Sequence, residues 1–183
     1  MRSIVTMMIG SMVLAGVANA QTPPPASNPI SQAIQNSWNS AKLNIRESAE
    51  QMPEEKYGFK PTDSVKSFGE ILAHVAGASY SYCSGAKGEA TPFDEDHFEE
   101  TTKTKAEIVK AVNDAIAYCD AVYGALTDQS LAAMVSRPGG NRQFTRASQV
   151  VGNISHTNEH YGNLVTYFRL NGMVPPSTAR ASR

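Results

Sequence analysis

His156 and His160 stand four residues apart in the segment HTNEH, inside a stretch whose apolar residues recur at helical spacing. On an α-helix that spacing brings two imidazoles within about 6 Å on one face, where they can share one divalent cation. A metal needs a third protein ligand, and the chain has 4 histidines in all. His74 lies in EILAHVAG, one residue off an apolar stripe. Alone there it reads as a core histidine satisfied by a hydrogen bond; opposite a histidine pair it reads as a ligand. His97 lies in the acidic run FDEDHFEE and is expected to be a residue of a solvated loop.

The same five residues match H-x-x-E-H, the inverted zinc-protease pattern, with Glu159 as general base. That chemistry needs a further ligand downstream, and no His, Asp, Glu or Cys follows His160. Glu159 also projects about 100° from His160, toward the surface. The protease reading is therefore set aside. The main apolar stripe around the pair is Ala147, Val150, Val151, Ile154, Tyr161, Val165 and Phe168, and the histidines project roughly 140° from it. That offset alone suits two histidines facing water. Their own face, however, carries Gln149, Asn153, Asn163 and Tyr167, with Leu164 beside it, and the helix offers only Arg146, Glu159 and Arg169 as charged groups. A polar but nearly uncharged stripe fits the lining of an enclosed pocket.

Four helices position these residues. The first starts at Asn28-Pro29, a cap followed by proline, and carries Ile34, Trp38, Ala41, Ile45 and Ala49. Pro53, Gly58 and Pro61 break it. The second opens with the capping-box spacing Ser67 to Glu70 and is expected to end at Ser84-Gly85. The third opens the same way at Thr104 and Glu107 and bears Ile108, Val112, Ala115, Cys119, Val122 and Leu126. The fourth starts after Thr145 and stops at Asn171-Gly172 before MVPP. No convincing alternating strand is seen, nor any internal repeat. The fold expected is all-α, a four-helix bundle with a long connection over residues 84–103. The basic turn with Arg137, Arg142 and Arg146 is expected to be a solvated surface; the alternative is a pocket mouth that greets an anionic substrate.

Cys83 continues the stripe Phe68, Leu72, Val75 and Ser79, and Cys119 sits on the stripe of the third helix. If those helices are neighbours the thiols meet, and a bridge closing roughly 36 residues contributes ~3–4 kcal/mol. The alternative is two small core hydrophobes. The beginning of the chain bears on this choice. Arg2, the apolar run IVTMMIGSMVLAGV and the small-x-small ANA read as a signal peptide over residues 1–20, cleaved after Ala20. No cysteine follows the cut, so a lipid anchor is not expected. Residues 21–29 form a Pro-rich tether, and residues 30–183 the domain. The expected location is periplasmic or secreted, an oxidising setting, with no membrane attachment after cleavage. The chain carries 16 Lys and Arg against 17 Asp and Glu, and losing Arg2 makes it more acidic still. Nucleic acid, which demands a basic surface, is not an expected partner.

MPEEKYGFKPT, SFGEILAHVAG and ISHTNEHYGNLVTYFRLNGMVPPST together resemble the DinB-like (damage-inducible) superfamily, in its exported branch, over essentially the whole mature chain. The resemblance implies a four-helix bundle with a long crossover, in many cases a homodimer. It also implies a divalent metal, zinc or nickel, on three histidines, with water completing the shell. By position those ligands are His74, His156 and His160; His97 matches nothing in the pattern. Some relatives are transferases or isomerases using low-molecular-weight thiols, which are cytosolic and out of reach of an exported chain. Two functions follow. One is a metal-dependent hydrolase or transferase acting on a small molecule of unknown identity, with Asn163 and Tyr167 supporting the centre. The other is a non-catalytic module that binds metal or a small ligand. A bundle that keeps its histidines without metal is the dullest outcome.

Overall fold

A computed structural model describes residues 28–94 and 96–182. The expected leader and all but the last two residues of the expected tether lie outside them. Four long helices make the frame: α1 (Pro29–Gln51), α2 (Phe68–Lys87), α4 (Lys105–Gly124) and α6 (Arg146–Leu170). Between and after them come the short helices α3 (His97–Thr101), α5 (Asp128–Leu131) and α7 (Pro176–Ala181), a 3-10 turn at Glu54–Lys56, and a small antiparallel hairpin. The hairpin pairs β1 (Met134–Ser136) with β2 (Gln143–Thr145). It was not expected, because three-residue strands are too short to show an alternating pattern. No helix among the described residues is long and apolar enough to cross a membrane.

Helices α1 and α2 each pack against both α4 and α6 and scarcely touch one another, so they occupy opposite corners of the bundle. Pairings give the directions. Gln35 meets Tyr123 and Lys105 meets Glu50, so α1 and α4 are antiparallel. Gly69 faces Ile108 while Cys83 is joined to Cys119, so α2 and α4 run parallel. Adjacent parallel helices force the chain to return the full length of the bundle, about 30 Å for a 20-residue helix. Residues 88–104 make that return, and α3 lies within them against α2. This is the long crossover that the sequence leads one to expect.

The capping boxes form as read. The Ser67 hydroxyl accepts from the Glu70 N–H at 3.3 Å while Glu70 accepts from the Ser67 N–H at 2.6 Å, and Thr104 and Glu107 repeat the arrangement. Three local expectations change. Asn28 does not cap α1 with its side chain; the Asp128 carboxylate reaches across from α5 and accepts from the N–H groups of Ile30 and Ser31. Helix α2 does not stop at Ser84-Gly85 but runs to Lys87, with Gly88 in the left-handed conformation at its end. Gly85 is there for closeness: a Cβ would lie 2.4 Å from the Gln149 side-chain oxygen. On α6, Val151 is 49% exposed while Gln149, Asn153 and Thr157 are buried. The inward face is thus centred between the apolar stripe and the polar stripe rather than on either.

The core gathers Trp38, Phe68, Leu72, Val112, Leu164 and Phe168, all almost fully buried. Trp38 stacks on Tyr123 with ring centroids 4.7 Å apart. The structure joins Cys83 to Cys119 across α2 and α4, with Cα atoms 5.5 Å apart and both residues buried. The Asn153 amide donates toward both sulfurs at 3.7 Å. Replacing both cysteines with alanine is expected to lower the unfolding free energy by about 3–4 kcal/mol, from the loop entropy that the link removes from the unfolded chain. Chemical denaturation of the double variant against the oxidised protein reads the difference. A loss below about 1 kcal/mol would show that the link contributes little.

Candidate metal centre

Helix α2 presents His74 from a run of buried small residues, Ala73, Val75, Ala76 and Ala78, and α6 presents His156 and His160 one turn apart. The two helices are antiparallel, with Phe68 against Phe168 at one end and Gly85 against Gln149 at the other. They approach closely near the histidines as well, since a Cβ on Gly152 would lie 2.8 Å from the Tyr82 ring. The packing brings the three imidazoles together. His74 Nε2 is 3.1 Å from His156 Nε2, which is 3.2 Å from His160 Nε2, and the three possible donor atoms all lie within 4.8 Å of one another. Ligands about 2.0–2.1 Å from a tetrahedral zinc are separated from each other by about 3.3–3.4 Å. The spacing therefore fits one such ion.

The electrostatics fit as well. Burial pushes the His156 ring down to about 4, with the neighbouring His160 and His74 rings adding to the shift. Burial is also the main reason that His160 is lowered, followed by the His74 ring. Both rings are therefore uncharged at neutral pH, which leaves lone pairs for a cation. Their Nδ1 atoms are buried without a partner among the described residues, whereas His74 Nδ1 lies 2.9 Å from Glu99 Oε1.

Glu99 is the residue that sequence reasoning missed. The run FDEDHFEE was expected to be a solvated loop, but Phe98 is buried and the Glu99 side chain is only 14% exposed. The signal available was indirect: a crossover that must return along α2 has to pass His74. His97 sits at the start of α3 rather than in a loop, its ring stacked on Phe93 with centroids 4.8 Å apart, and it joins neither group of metal-capable residues.

The other expected positions fare differently. Asn163 is exposed and lines a cavity of about 270 Å³ with Pro61, Val65, Lys66, Ile71, His160 and Tyr167. Tyr167 shares that wall, but its hydroxyl donates to the Lys66 carbonyl at 2.6 Å, so it holds the chain entering α2 rather than supporting the histidines directly. Arg137 and Arg142 are exposed, as expected of a surface turn, Arg146 is half-buried, and none of the three lines this cavity. Arg146 donates to the carbonyls of Ala86 and Ser130, Arg137 donates to that of Ser81, and Arg142 lies over the Phe144 ring. Arg137 and Arg146 thus brace the last two turns of α2, and Arg146 meets an unpaired carbonyl at its end. Beside Arg146 is a larger cavity, about 410 Å³. It lies about 15 Å along α6 from His156, and the donor geometry rather than the volume marks the centre.

Residues 40–164 match the family model of the DinB superfamily. No curated protein matches the chain. Among solved structures, a DinB-like protein from Bacillus cereus ATCC 10987 is 17% identical with a TM-score of 0.65, covering 79% of this chain and 95% of its own. YfiT from Bacillus subtilis, described as a probable metal-dependent hydrolase with an unusual four-helix bundle topology, is 16% identical with a TM-score of 0.61, covering 84% and 94%. A mycothiol-dependent maleylpyruvate isomerase is 13% identical with a TM-score of 0.58, covering 73% of this chain and 60% of its own.

The placement of Tyr167 yields a test. Tyr167→Phe removes one hydrogen bond to a partly buried carbonyl and is expected to cost about 1 kcal/mol of stability. It should leave metal content unchanged. A variant that unfolds normally yet loses metal would put the hydroxyl in the centre instead.

Proposed function

The chain belongs to the DinB superfamily, and from that premise we propose that His74, His156 and His160 hold one divalent metal ion, zinc or nickel. We further propose that the protein is an exported hydrolase or transferase acting on a small molecule. The observation that carries this reading is the donor set: three imidazole nitrogens converge, and no fourth side chain of the described residues joins their group. Structural zinc sites normally have four protein ligands, whereas catalytic sites have three and leave a position open. Bound there, the ion supplies Lewis-acid activation of water or of a carbonyl group.

The chain's own residues do the rest. Three neutral ligands leave the cation's charge uncancelled. The cavity with His160 in its wall receives the substrate, its apolar part against Pro61, Val65 and Ile71 and its polar part toward Lys66 and Asn163. The description of YfiT as a probable metal-dependent hydrolase supports this reading. The joined Cys83 and Cys119 are what an oxidising compartment would favour, and the signal-peptide pattern expected over residues 1–20 is consistent with export to one.

Metal analysis of untagged protein purified from its native compartment tests the ligands. Wild type is expected to carry about one equivalent of metal, as a three-ligand site implies. His74→Ala and His156→Ala should lose most of it, and His97→Ala should keep it. Equal metal in all four proteins would refute the ligand assignment. Loaded wild type should also turn over at least one ester, amide, thioester or thiol-transfer substrate, and His156→Ala should not. Metal retention with no turnover across such a panel would leave a binding module.

A further inference from the structure

We infer that Glu99 is a positioning residue for the metal centre: it holds the ring proton of His74 on Nδ1 and so keeps Nε2 free to ligate. This rests on the three-histidine reading above and extends it to a residue outside the histidine set. Glu99 Oε1 lies 2.9 Å from His74 Nδ1, and the two side chains are 14% and 16% exposed. Its other oxygen, Oε2, accepts from the Lys66 ammonium. Lysine offers only donors, so Oε2 is an acceptor, and Oε1 in turn accepts from the ring. A neutral imidazole that donates from Nδ1 keeps its lone pair on Nε2, the atom facing His156 and His160.

The three ligands do not need the same help. His156 and His160 share one helix, and their i, i+4 spacing fixes them relative to each other. Their Nδ1 atoms are buried with no partner among the described residues. His74 comes alone from the facing helix, and nothing on α2 sets its tautomer or its rotation about the ring bond. Glu99 does both from α3, the turn of helix that the crossover lays against α2. Metal-binding histidines commonly need such a carboxylate, and losing it typically lowers metal affinity 10–100-fold.

A rival role exists for the same atoms. Asp96 is exposed and lies with Glu99 near His74 Nδ1, close enough for the three to hold a cation of their own. Lys66 already supplies a positive charge to Glu99, which disfavours that rival.

Chelator competition with zinc on the full mature protein separates the cases, using wild type, Glu99→Gln, Glu99→Ala and Asp96→Ala. Glu99→Ala should bind zinc about 10–100-fold more weakly. Glu99→Gln should fall between, because its amide oxygen still accepts from the ring but without charge. Asp96→Ala should match wild type. The nitrogen chemical shifts of His74 in the zinc form should show a proton on Nδ1 and the metal on Nε2 in wild type, with that pattern lost in Glu99→Ala. Metal-free Glu99→Gln should unfold at the wild-type temperature, which excludes a general folding defect. Wild-type affinity in both Glu99 variants would overturn the positioning role while leaving the three-histidine site intact. Two zinc ions per chain, one lost in Asp96→Ala, would overturn it in favour of a second cation site. A wild type that binds neither zinc nor nickel would overturn it together with the metal reading itself.

Discussion

The close antiparallel contact between α2 and α6 is the constraint on which the centre depends. Its three histidines come from both helices, so the cluster exists only where the two backbones approach within reach of an imidazole. Glycines permit that approach at two levels: Gly85 where Gln149 crosses, and Gly152 where the Tyr82 ring crosses. Gly152 lies one turn before His156, and the Tyr82 and His156 ring centroids are 5.9 Å apart. A side chain at Gly152 would push against the same ring that flanks the ligand. Phe68 and Phe168 close the far end of the contact, edge to face at 5.6 Å. The packing that stabilises the bundle and the packing that assembles the ligands are therefore the same seam.

The parallel pairing of α2 with α4 sets the second requirement. Such neighbours cannot be joined by a tight turn, so the chain must travel back along them, and it uses the trip. Phe93 and Phe98 dock on Tyr80, with ring centroids at 5.0 and 5.7 Å. That apolar anchor holds α3 in place, and Glu99, the next residue, reaches His74. The cystine ties the same two helices near their carboxyl ends, so the crossover spans a pair of helices already linked covalently. Tyr167, through the Lys66 carbonyl, and Lys66, through Glu99, then connect α6, the entry to α2 and the crossover.

Much of this was legible in the sequence. Helical periodicity gave the four long elements, and Ser67–Glu70 and Thr104–Glu107 marked two starts to the residue, because a capping box is a local hydrogen-bond pattern that depends on nothing remote. The histidines were legible by type and spacing. What was not legible depended on tertiary contact. Gly85 reads as a stop by propensity, yet it serves a helix-to-helix contact that only the partner Gln149 reveals. Val151 reads as core, yet α6 rotates so that Asn153 and Thr157 point inward. The acidic run reads as solvated, because the pull of two phenylalanines is invisible beside five carboxylates in eight residues. Asp128, whose carboxylate caps α1, lies about a hundred residues away and leaves no local trace.

The inward turn of α6 explains why its polar face is nearly uncharged. A buried polar group without a partner costs about 1–3 kcal/mol, and natural cores hold few. Gln149 Oε1, Asn153 Oδ1 and Thr157 Oγ1 are all buried with no partner among the described residues, and so are the Nδ1 atoms of His156 and His160. These five atoms sit on one helix, in the turns that run up to and include the ligands. Charged residues there would have cost far more, and apolar ones would have left no donors. The facing Nε2 atoms add to the tension. Two ring nitrogens 3.1 Å apart can hold only one proton between them, so at least one lone pair of the three is turned on the others. The disulfide, the stacked Trp38 and the α2–α6 seam supply the stability that lets this face remain under-satisfied. A cation at the convergence of the three rings would take up the facing Nε2 lone pairs.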